Sequence, residues 1–117
     1  EEKEMLAKMT SIISDNICNP ELSTEMVASM MGMTVRNLYR SVSRITTDTP
    51  SSIIRNMRLK RAAYLLKHSR LTMEEVAFKS GFNHRSTFYN VFTAKYGCTP
   101  KQFHDRNCDD AVSRMDS

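Results

Sequence analysis

The stretch G-M-T-V-R-N-L-Y-R, from Gly32 to Arg40, is echoed later in the chain by G-F-N-H-R-S-T-F-Y-N, from Gly81 to Asn90. Each copy opens with a glycine and an apolar residue and later reaches a leucine or phenylalanine followed by a tyrosine. The second copy is one residue longer. A chain of 117 residues with such a repeat is expected to contain two units built on the same local plan.

The repeat extends beyond the two quoted segments. Four pairs lie 49 residues apart: Ser23 with Thr72, Ala28 with Ala77, Gly32 with Gly81, and Thr34 with Asn83. Later pairs lie 50 residues apart: Leu38 with Phe88, Val42 with Phe92, and Thr49-Pro50 with Thr99-Pro100. The change in spacing predicts that the additional residue lies between Asn83 and Phe88, inside the first turn of a helix.

Apolar spacing and capping signals predict seven helices and no strand, an all-α fold. The first helix is expected from Glu4 to Cys18, the fourth from Pro50 to His68, and the seventh to reach about Arg106. Helix N-caps are expected at Ser23, Thr34, Thr49, Thr72, Asn83 and Thr99, and helix ends at Gly32, Gly81 and Gly97. The apolar positions of the first four helices are Met5, Met9, Ile12, Ile13, Ile17, Met26, Val27, Met30, Leu38, Val42, Ile45, Ile54, Ala62, Leu65 and Leu66. On the fourth helix, Ile54, Ala62 and Leu65 form an apolar stripe along one face. Arg58 falls on this stripe, so we expect a structural arginine that bonds carbonyls or a carboxylate.

Composition excludes several classes of protein. No apolar run approaches the roughly 18 residues of a membrane span, and no signal peptide opens the sequence. Three widely spaced cysteines, Cys18, Cys98 and Cys108, favour a reducing compartment, and we expect a cytoplasmic location. Cys98, His104 and Cys108 lack the fourth ligand of a zinc site, so we expect no metal and no cofactor. The chain begins at Glu1 without an initiator methionine, so we expect a fragment of a longer protein.

Charge is distributed very unevenly along the chain. Residues 34–106 carry fourteen basic and four acidic side chains, a net charge of +10, whereas residues 1–33 sum to −4 and residues 107–117 to −2. A basic section of this strength attracts polyanions and speeds their capture. The alternative is a basic surface that is only solvated. The sequence shows no phosphate loop and no nucleophile–base pair, so we expect a protein that is not an enzyme.

Each half consists of a short helix, a turn that begins with glycine, and a longer helix, which is the helix-turn-helix pattern. These motifs resemble the C-terminal DNA-binding domain of the AraC/XylS family of bacterial transcription regulators. The resemblance covers about residues 5–106 and rests on L-S-T-E-M-V-A-S-M-M-G-M-T (22–34), I-R-N-M-R-L-K-R-A-A-Y-L-L (54–66), E-E-V-A-F-K-S-G-F-N (74–83) and F-Y-N-V-F-T-A-K-Y-G-C-T-P-K-Q-F (88–103). The run L-Y-R followed by R-L-K-R-A-A is similar to such domains in hybrid two-component regulators from gut Bacteroidetes-type bacteria.

The resemblance implies two homeodomain-like subdomains whose recognition helices enter successive major-groove segments. We expect Arg36 and Arg40 at guanine edges or phosphates, because the arginine fork matches the guanine acceptors, and Val35 at a thymine methyl. Asn90 is expected to pair with adenine, and Arg85 with guanine or phosphate. The full set of expected DNA contacts is Val35, Arg36, Tyr39, Arg40, Arg44, His84, Arg85, Ser86, Thr87, Asn90 and Lys95.

The expected organisation is an N-terminal helix packed on the first subdomain (1–21), a first helix-turn-helix (22–49), a linker helix (50–68), a second helix-turn-helix (69–106) and a flexible tail (107–117). The expected function is sequence-specific binding of double-stranded DNA at tandem half-sites about one turn apart. RNA polymerase is a candidate further partner, no membrane contact is expected, and oligomerisation is expected through domains outside this sequence. The alternative is a helical protein–protein docking or dimerisation module formed by the methionine-rich first helix and the acidic N-terminus.

Overall fold

A computed structural model describes residues 2–105, in which short turns join seven α-helices and no strand occurs. The helices are α1 (Glu2–Asp15), α2 (Thr24–Met30), α3 (Val35–Ile45), α4 (Pro50–His68), α5 (Met73–Lys79), α6 (Arg85–Tyr96) and α7 (100–105). The predicted all-α class is confirmed. The predicted end of α7 at Arg106 and the predicted tail at 107–117 lie outside the described residues. Contacts divide the chain into two compact units, with the boundary between Arg58 and Leu59.

The first unit is built around one apolar core that draws on α1, α2, α3 and the beginning of α4. Its buried members are Met9, Ile13, Ile17, Leu22, Val27, Ala28, Leu38, Val42 and Ile54. Helix α1 ends at Asp15 and not at Cys18 as predicted. The chain tightens after Asp15, where the Asn16 backbone N–H donates to the Ile13 carbonyl (3.1 Å) and the Asn16 side-chain amide donates to the Ile12 carbonyl (2.8 Å).

Burial follows the predicted stripes with two differences. Met30, which was expected inside, is 46% exposed. It follows the buried Ala28 by two residues, which is about 200° around a helix, so it points away from the core. Leu59, which was absent from the predicted stripe, is 1% exposed and belongs to the core of the second unit.

The turn between α2 and α3 has the geometry predicted from its glycine. Gly32 has a φ of +69°, the left-handed conformation that glycine adopts without steric cost. The Met33 N–H then donates to the Ala28 carbonyl (2.9 Å), which closes the end of α2. Thr34 caps α3, and its hydroxyl oxygen accepts the Asn37 N–H at 3.1 Å. These local bonds fix where α3 begins.

The second unit repeats this turn and adds a stronger cap before it. Thr72 and Glu75 form the predicted capping box at the start of α5, with bonds of 3.0 and 3.1 Å. The Thr72 backbone N–H that the Glu75 carboxylate accepts lowers the pKa of Glu75. After α5, Gly81 has a φ of +89°, and the Phe82 N–H donates to the Ala77 carbonyl (3.0 Å).

The additional residue of the second copy lies in this turn and not inside α6, so that prediction was wrong. Helix α6 begins at Arg85 with His84 as its N-cap residue, and the cap expected at Asn83 is therefore wrong as well. From His84 onward each residue lies 50 positions after its counterpart in the first unit. Asn83 is left without a counterpart and is exposed. An exposed turn accepts an extra residue without displacing the buried Phe88.

The core of the second unit is rich in aromatic rings. Its buried members are Leu59, Ala62, Leu66, Val76, Ala77, Phe82, Phe88 and Phe92. The ring centres of Phe88 and Phe92 are 5.6 Å apart in an edge-to-face arrangement, and Phe103 of α7 meets Phe92 at 5.2 Å. Such pairs stabilise beyond the burial of their area. Helix α6 is thereby anchored along the whole of its apolar face.

Arg58 lies on the apolar stripe of α4 and has the structural role that the sequence predicted. Its Nη2 donates to the Asn19 carbonyl at 2.9 Å, within the first unit. Burial lowers the pKa of the Arg58 guanidinium. The bond ties the loop after α1 to α4, across 39 positions of sequence.

Replacing Arg58 by alanine is expected to lower the free energy of unfolding of the first unit by about 1–2 kcal/mol, because a charge-assisted bond and a packed stem are both lost. Urea unfolding followed by circular dichroism measures the change. Arg55→Ala, at an exposed position one turn earlier on α4, is the control and should change stability by less than about 0.5 kcal/mol. Equal effects of the two substitutions would contradict a structural role for Arg58.

Candidate nucleic-acid interface

Helix α3 presents a polar face opposite its apolar one. Leu38 and Val42 are fully buried, whereas Arg36 and Arg40 are exposed. A spacing of four residues places the two arginines one above the other on adjacent turns. The residues that line a shallow depression on this face are Arg36, Tyr39, Arg40 and Ser43. No acidic residue occurs in α3, so the only charges on this face are positive.

The other two predicted contact residues of α3 lie beside this face. Val35, the first residue of the helix, is half-buried and packs against the core of the first unit. Arg44 is exposed in the last turn, where a cation interacts favourably with the helix dipole. The structure therefore groups Arg36, Tyr39 and Arg40 on one face and leaves Val35 and Arg44 at its margins.

Helix α6 exposes a face of different chemistry. Ser86, Thr87 and Asn90 are exposed, while the apolar face is buried in the core of the second unit. With the spacing of 50 residues, Ser86 and Asn90 occupy the positions that Arg36 and Arg40 occupy on α3. The second helix therefore offers a hydroxyl and an amide where the first offers two guanidinium groups.

Arg85 is the first residue of α6, and its side chain contacts two neighbours. Its Nη1 lies 3.5 Å from Glu74 Oε1 of α5, and its guanidinium carbon lies 5.3 Å from the centre of the Tyr89 ring. Interaction with the Tyr89 side chain, followed by the charge of Glu74, raises the pKa of Arg85. The two charged side chains are 55% and 76% exposed, so the ion pair adds little stability in water.

Comparison with known families now identifies the pattern. A family model for the helix-turn-helix domain matches residues 27–106, which include both turns and both exposed helix faces. The chain belongs to the AraC-type helix-turn-helix family. The resemblance expected from the sequence is thereby confirmed.

This AraC-type domain has relatives that are much longer. The chain is 28% identical over 105 residues to histidine kinase P4 of Formosa agariphila. The aligned segment covers 90% of this chain and 8% of that protein. The chain is also 27% identical over 81 residues to the transcriptional activator RhaS of Escherichia coli. That aligned segment covers 69% of this chain and 29% of RhaS. The DNA-binding domain of AdpA, solved in complex with a target DNA, has the same fold, with a TM-score of 0.80, 22% identity and coverage of 86% of this chain and 90% of that one.

Two predicted contact residues of the AraC-type domain lie apart from the α6 face. Lys95 is exposed near the end of α6, seven residues after the buried Phe88, so it projects from the side of the helix that faces the core and not from that of Ser86 and Asn90. His84 is exposed at the N-cap, one residue before the helix. Lys95 and His84 therefore lie outside the helix face that Ser86 and Asn90 form.

Residues 2–105 of the AraC-type domain contain neither a metal-binding cluster nor a membrane-spanning helix. No group of three metal-binding side chains occurs among residues 2–105, and Cys108 lies outside them. No helix in this part of the chain is long and apolar enough to cross a membrane. His104 contacts the Leu66 carbonyl at 2.8 Å through Nδ1, a structural role within the second unit.

Sequence reasoning missed two residues at the interface. Ser43 lies one turn after Arg40 and completes the depression on α3, so helical spacing alone could have found it. Glu74 is on a different helix from Arg85, eleven residues earlier, and no local pattern links the two. The ion pair depends on how α5 crosses α6.

Proposed function

We propose that this domain binds double-stranded DNA sequence-specifically as part of a bacterial transcription regulator. The single observation that carries the proposal is the cationic face of α3, where Arg36 and Arg40 project on adjacent turns opposite a fully buried apolar face. A helix anchored in this way has its outer side available for a major groove, which admits one α-helix. The DNA complex of AdpA, which has the same fold, supports this use of the fold.

The exposed side chains support a division of roles between the helices. Arg36 and Arg40 read guanine edges or bind phosphates, and Val35 is placed for a thymine methyl. Asn90 suits adenine, and Thr87 suits a phosphate or the helix backbone. The remaining proposed contacts are Tyr39, Arg44, His84, Arg85, Ser86 and Lys95. The two helices would occupy successive major-groove segments, about one DNA turn apart.

A binding role fits the domain better than catalysis or docking. Relatives include transcription regulators, and the basic section that the sequence revealed contains both helices. Docking through a methionine-rich first helix is disfavoured, because Met9 of α1 is 0% exposed inside the core of the first unit. We therefore propose that this part of the protein binds DNA in the cytoplasm and is not an enzyme.

The parent protein is a second element of the proposal. The likeness to a histidine kinase supports a hybrid two-component regulator in which this domain is the DNA-binding part. RNA polymerase contact and oligomerisation through other domains would belong to that larger protein. We also retain the predicted organisation of the domain, in which α4 (Pro50–His68) is the linker helix between the helix-turn-helix segments 22–49 and 69–106.

Selection of duplexes from a random pool tests the DNA-binding function and yields the binding site. The whole 117-residue chain should enrich one sequence, and its affinity should fall steeply with salt, because each neutralised phosphate contributes about −0.9 to the slope of log K against log salt. Fluorescence anisotropy at several salt concentrations measures that slope. The double variant Arg36→Ala, Arg40→Ala should have a shallower slope. Failure to enrich any sequence, or a flat salt dependence, would overturn the proposed function.

A further inference from the structure

An acidic side chain lies beside the second DNA-reading helix. Glu74 is in the first turn of α5, and its carboxylate reaches the first residue of α6, where Oε1 lies 3.5 Å from Nη1 of Arg85. The same region forms a surface depression whose lining is Glu74, Ala77, Phe78, Phe82, Asn83 and Arg85. The side chain of Glu74 is 76% exposed. A carboxylate in this place repels phosphates, and this repulsion alone would weaken DNA binding.

Glu74 also restricts the Arg85 side chain, together with Tyr89. The Glu74 carboxylate lies beside one end of the guanidinium, and the Tyr89 ring lies 5.3 Å from the guanidinium carbon. An arginine carries five N–H donors in a rigid planar fork. With one end at a carboxylate and one side near a ring, the fork has fewer orientations than that of a solvated arginine. The remaining donors are thereby presented in a restricted geometry.

Resting on the proposed function, we infer that Glu74 is a positioning residue that makes Arg85 selective for a base edge over the phosphate backbone. A free arginine pairs with any phosphate within reach, and such contacts carry no sequence information. A held arginine pairs well only where two acceptors match its fork, as guanine O6 and N7 do. On DNA without that match, Arg85 stays at the Glu74 carboxylate and does not make the phosphate contact of a free arginine, so binding to the wrong sequence is weaker.

The first unit supplies a matched control within the same chain. Glu25 in α2 is the counterpart of Glu74, 49 residues earlier, and it also lies in the first turn of its helix. The counterpart of Arg85 is Val35, which cannot pair with a carboxylate. Removing the charge of Glu25 therefore changes the general electrostatics of a helix-turn-helix without releasing an arginine.

The test repeats the duplex selection with the whole chain carrying Glu74→Gln or Glu25→Gln, followed by anisotropy titrations with the selected duplex and a scrambled one. Glu74→Gln should bind the scrambled duplex about three- to tenfold more tightly, because a repulsive charge is gone and Arg85 is free. It should also lose about fivefold or more of its preference at one base pair of the selected site. Glu25→Gln should retain that preference. In an Arg85→Lys background, Glu74→Gln should leave the preference at that base pair unchanged, because lysine has no fork to orient.

Two results would overturn the inference while leaving the proposed function intact. One is an unchanged base preference in Glu74→Gln. The other is an equal loss of preference in Glu25→Gln, which would reduce the effect to general electrostatics. A wild type that enriches no sequence is a separate result, and it would overturn the proposed function and the inference together. Circular dichroism melting of each variant verifies that these exposed substitutions leave the fold intact.

Discussion

Replacing Phe88 by alanine is expected to lower the free energy of unfolding of the second unit by about 3–5 kcal/mol. Phe88 is 0% exposed, and its ring centre lies 5.3 Å from that of Phe82 and 5.6 Å from that of Phe92. Removal of the ring leaves a cavity and breaks the aromatic contacts that anchor α6. Because small domains are stable by only about 5–15 kcal/mol, a loss of this size leaves the unit close to unfolding. Urea unfolding and amide hydrogen exchange measure the effect.

Two further substitutions make the Phe88 result specific. Leu38→Ala removes the counterpart of Phe88 in the first unit, where it is also 0% exposed, and should cost about 2–5 kcal/mol there. Tyr64→Ala removes a large side chain that is 62% exposed and should change stability by less than about 0.5 kcal/mol. Exchange should rise in α5 and α6 for Phe88→Ala and in α2 and α3 for Leu38→Ala. Loss of protection over both pairs of helices in either variant would contradict separate cores.

The starts of α2, α3, α4, α5 and α7 were predictable because each depends on a cap and a backbone N–H only three residues apart. The Ser23 hydroxyl accepts the Met26 N–H at 3.2 Å, and the Thr72–Glu75 capping box forms as the sequence indicated. The Thr-Pro start at Pro50 is also where α4 begins. These signals are short-range, so a single sequence contains them completely.

The errors arose where a longer-range comparison was needed. Matching the two halves predicted an extra residue between Asn83 and Phe88, whereas the extra residue is Asn83 itself, because the sequence does not show at which residue α6 begins. The core decides the register: Phe88 is buried where Leu38 is buried, and α6 begins after the extra residue. The pairing of Glu74 with Arg85 was out of reach for a similar reason, since it requires the crossing of two helices.

The corrected register changes how the two helices are compared. Arg36 now corresponds to Ser86 and Arg40 to Asn90, while Arg85 corresponds to Val35. The arginine of α6 therefore lies one position before that of α3, at the start of its helix, where its exposed side chain contacts Glu74 of α5. Two units with one backbone plan present different donors and acceptors, so we expect their half-sites to differ in sequence.

Replacing Arg40 by alanine is expected to weaken binding to the selected duplex by about 1–3 kcal/mol, a loss of roughly five- to 150-fold, if the guanidinium reads a base. Arg40 is exposed on the face of α3 opposite Leu38 and Val42, so its removal leaves the core untouched and affinity can fall without unfolding. The measurement is anisotropy with the selected duplex and with duplexes substituted at each guanine. If Arg40 contacts a base, the loss of affinity in Arg40→Ala disappears on the duplex substituted at that base, because the wild type has already lost the same interaction there. If Arg40 contacts a phosphate, the loss of affinity is the same on every duplex. Arg55→Ala on α4 is the control, since it removes an exposed arginine from the same unit and should leave base preference unchanged. An unchanged affinity and preference in Arg40→Ala would remove Arg40 from the interface.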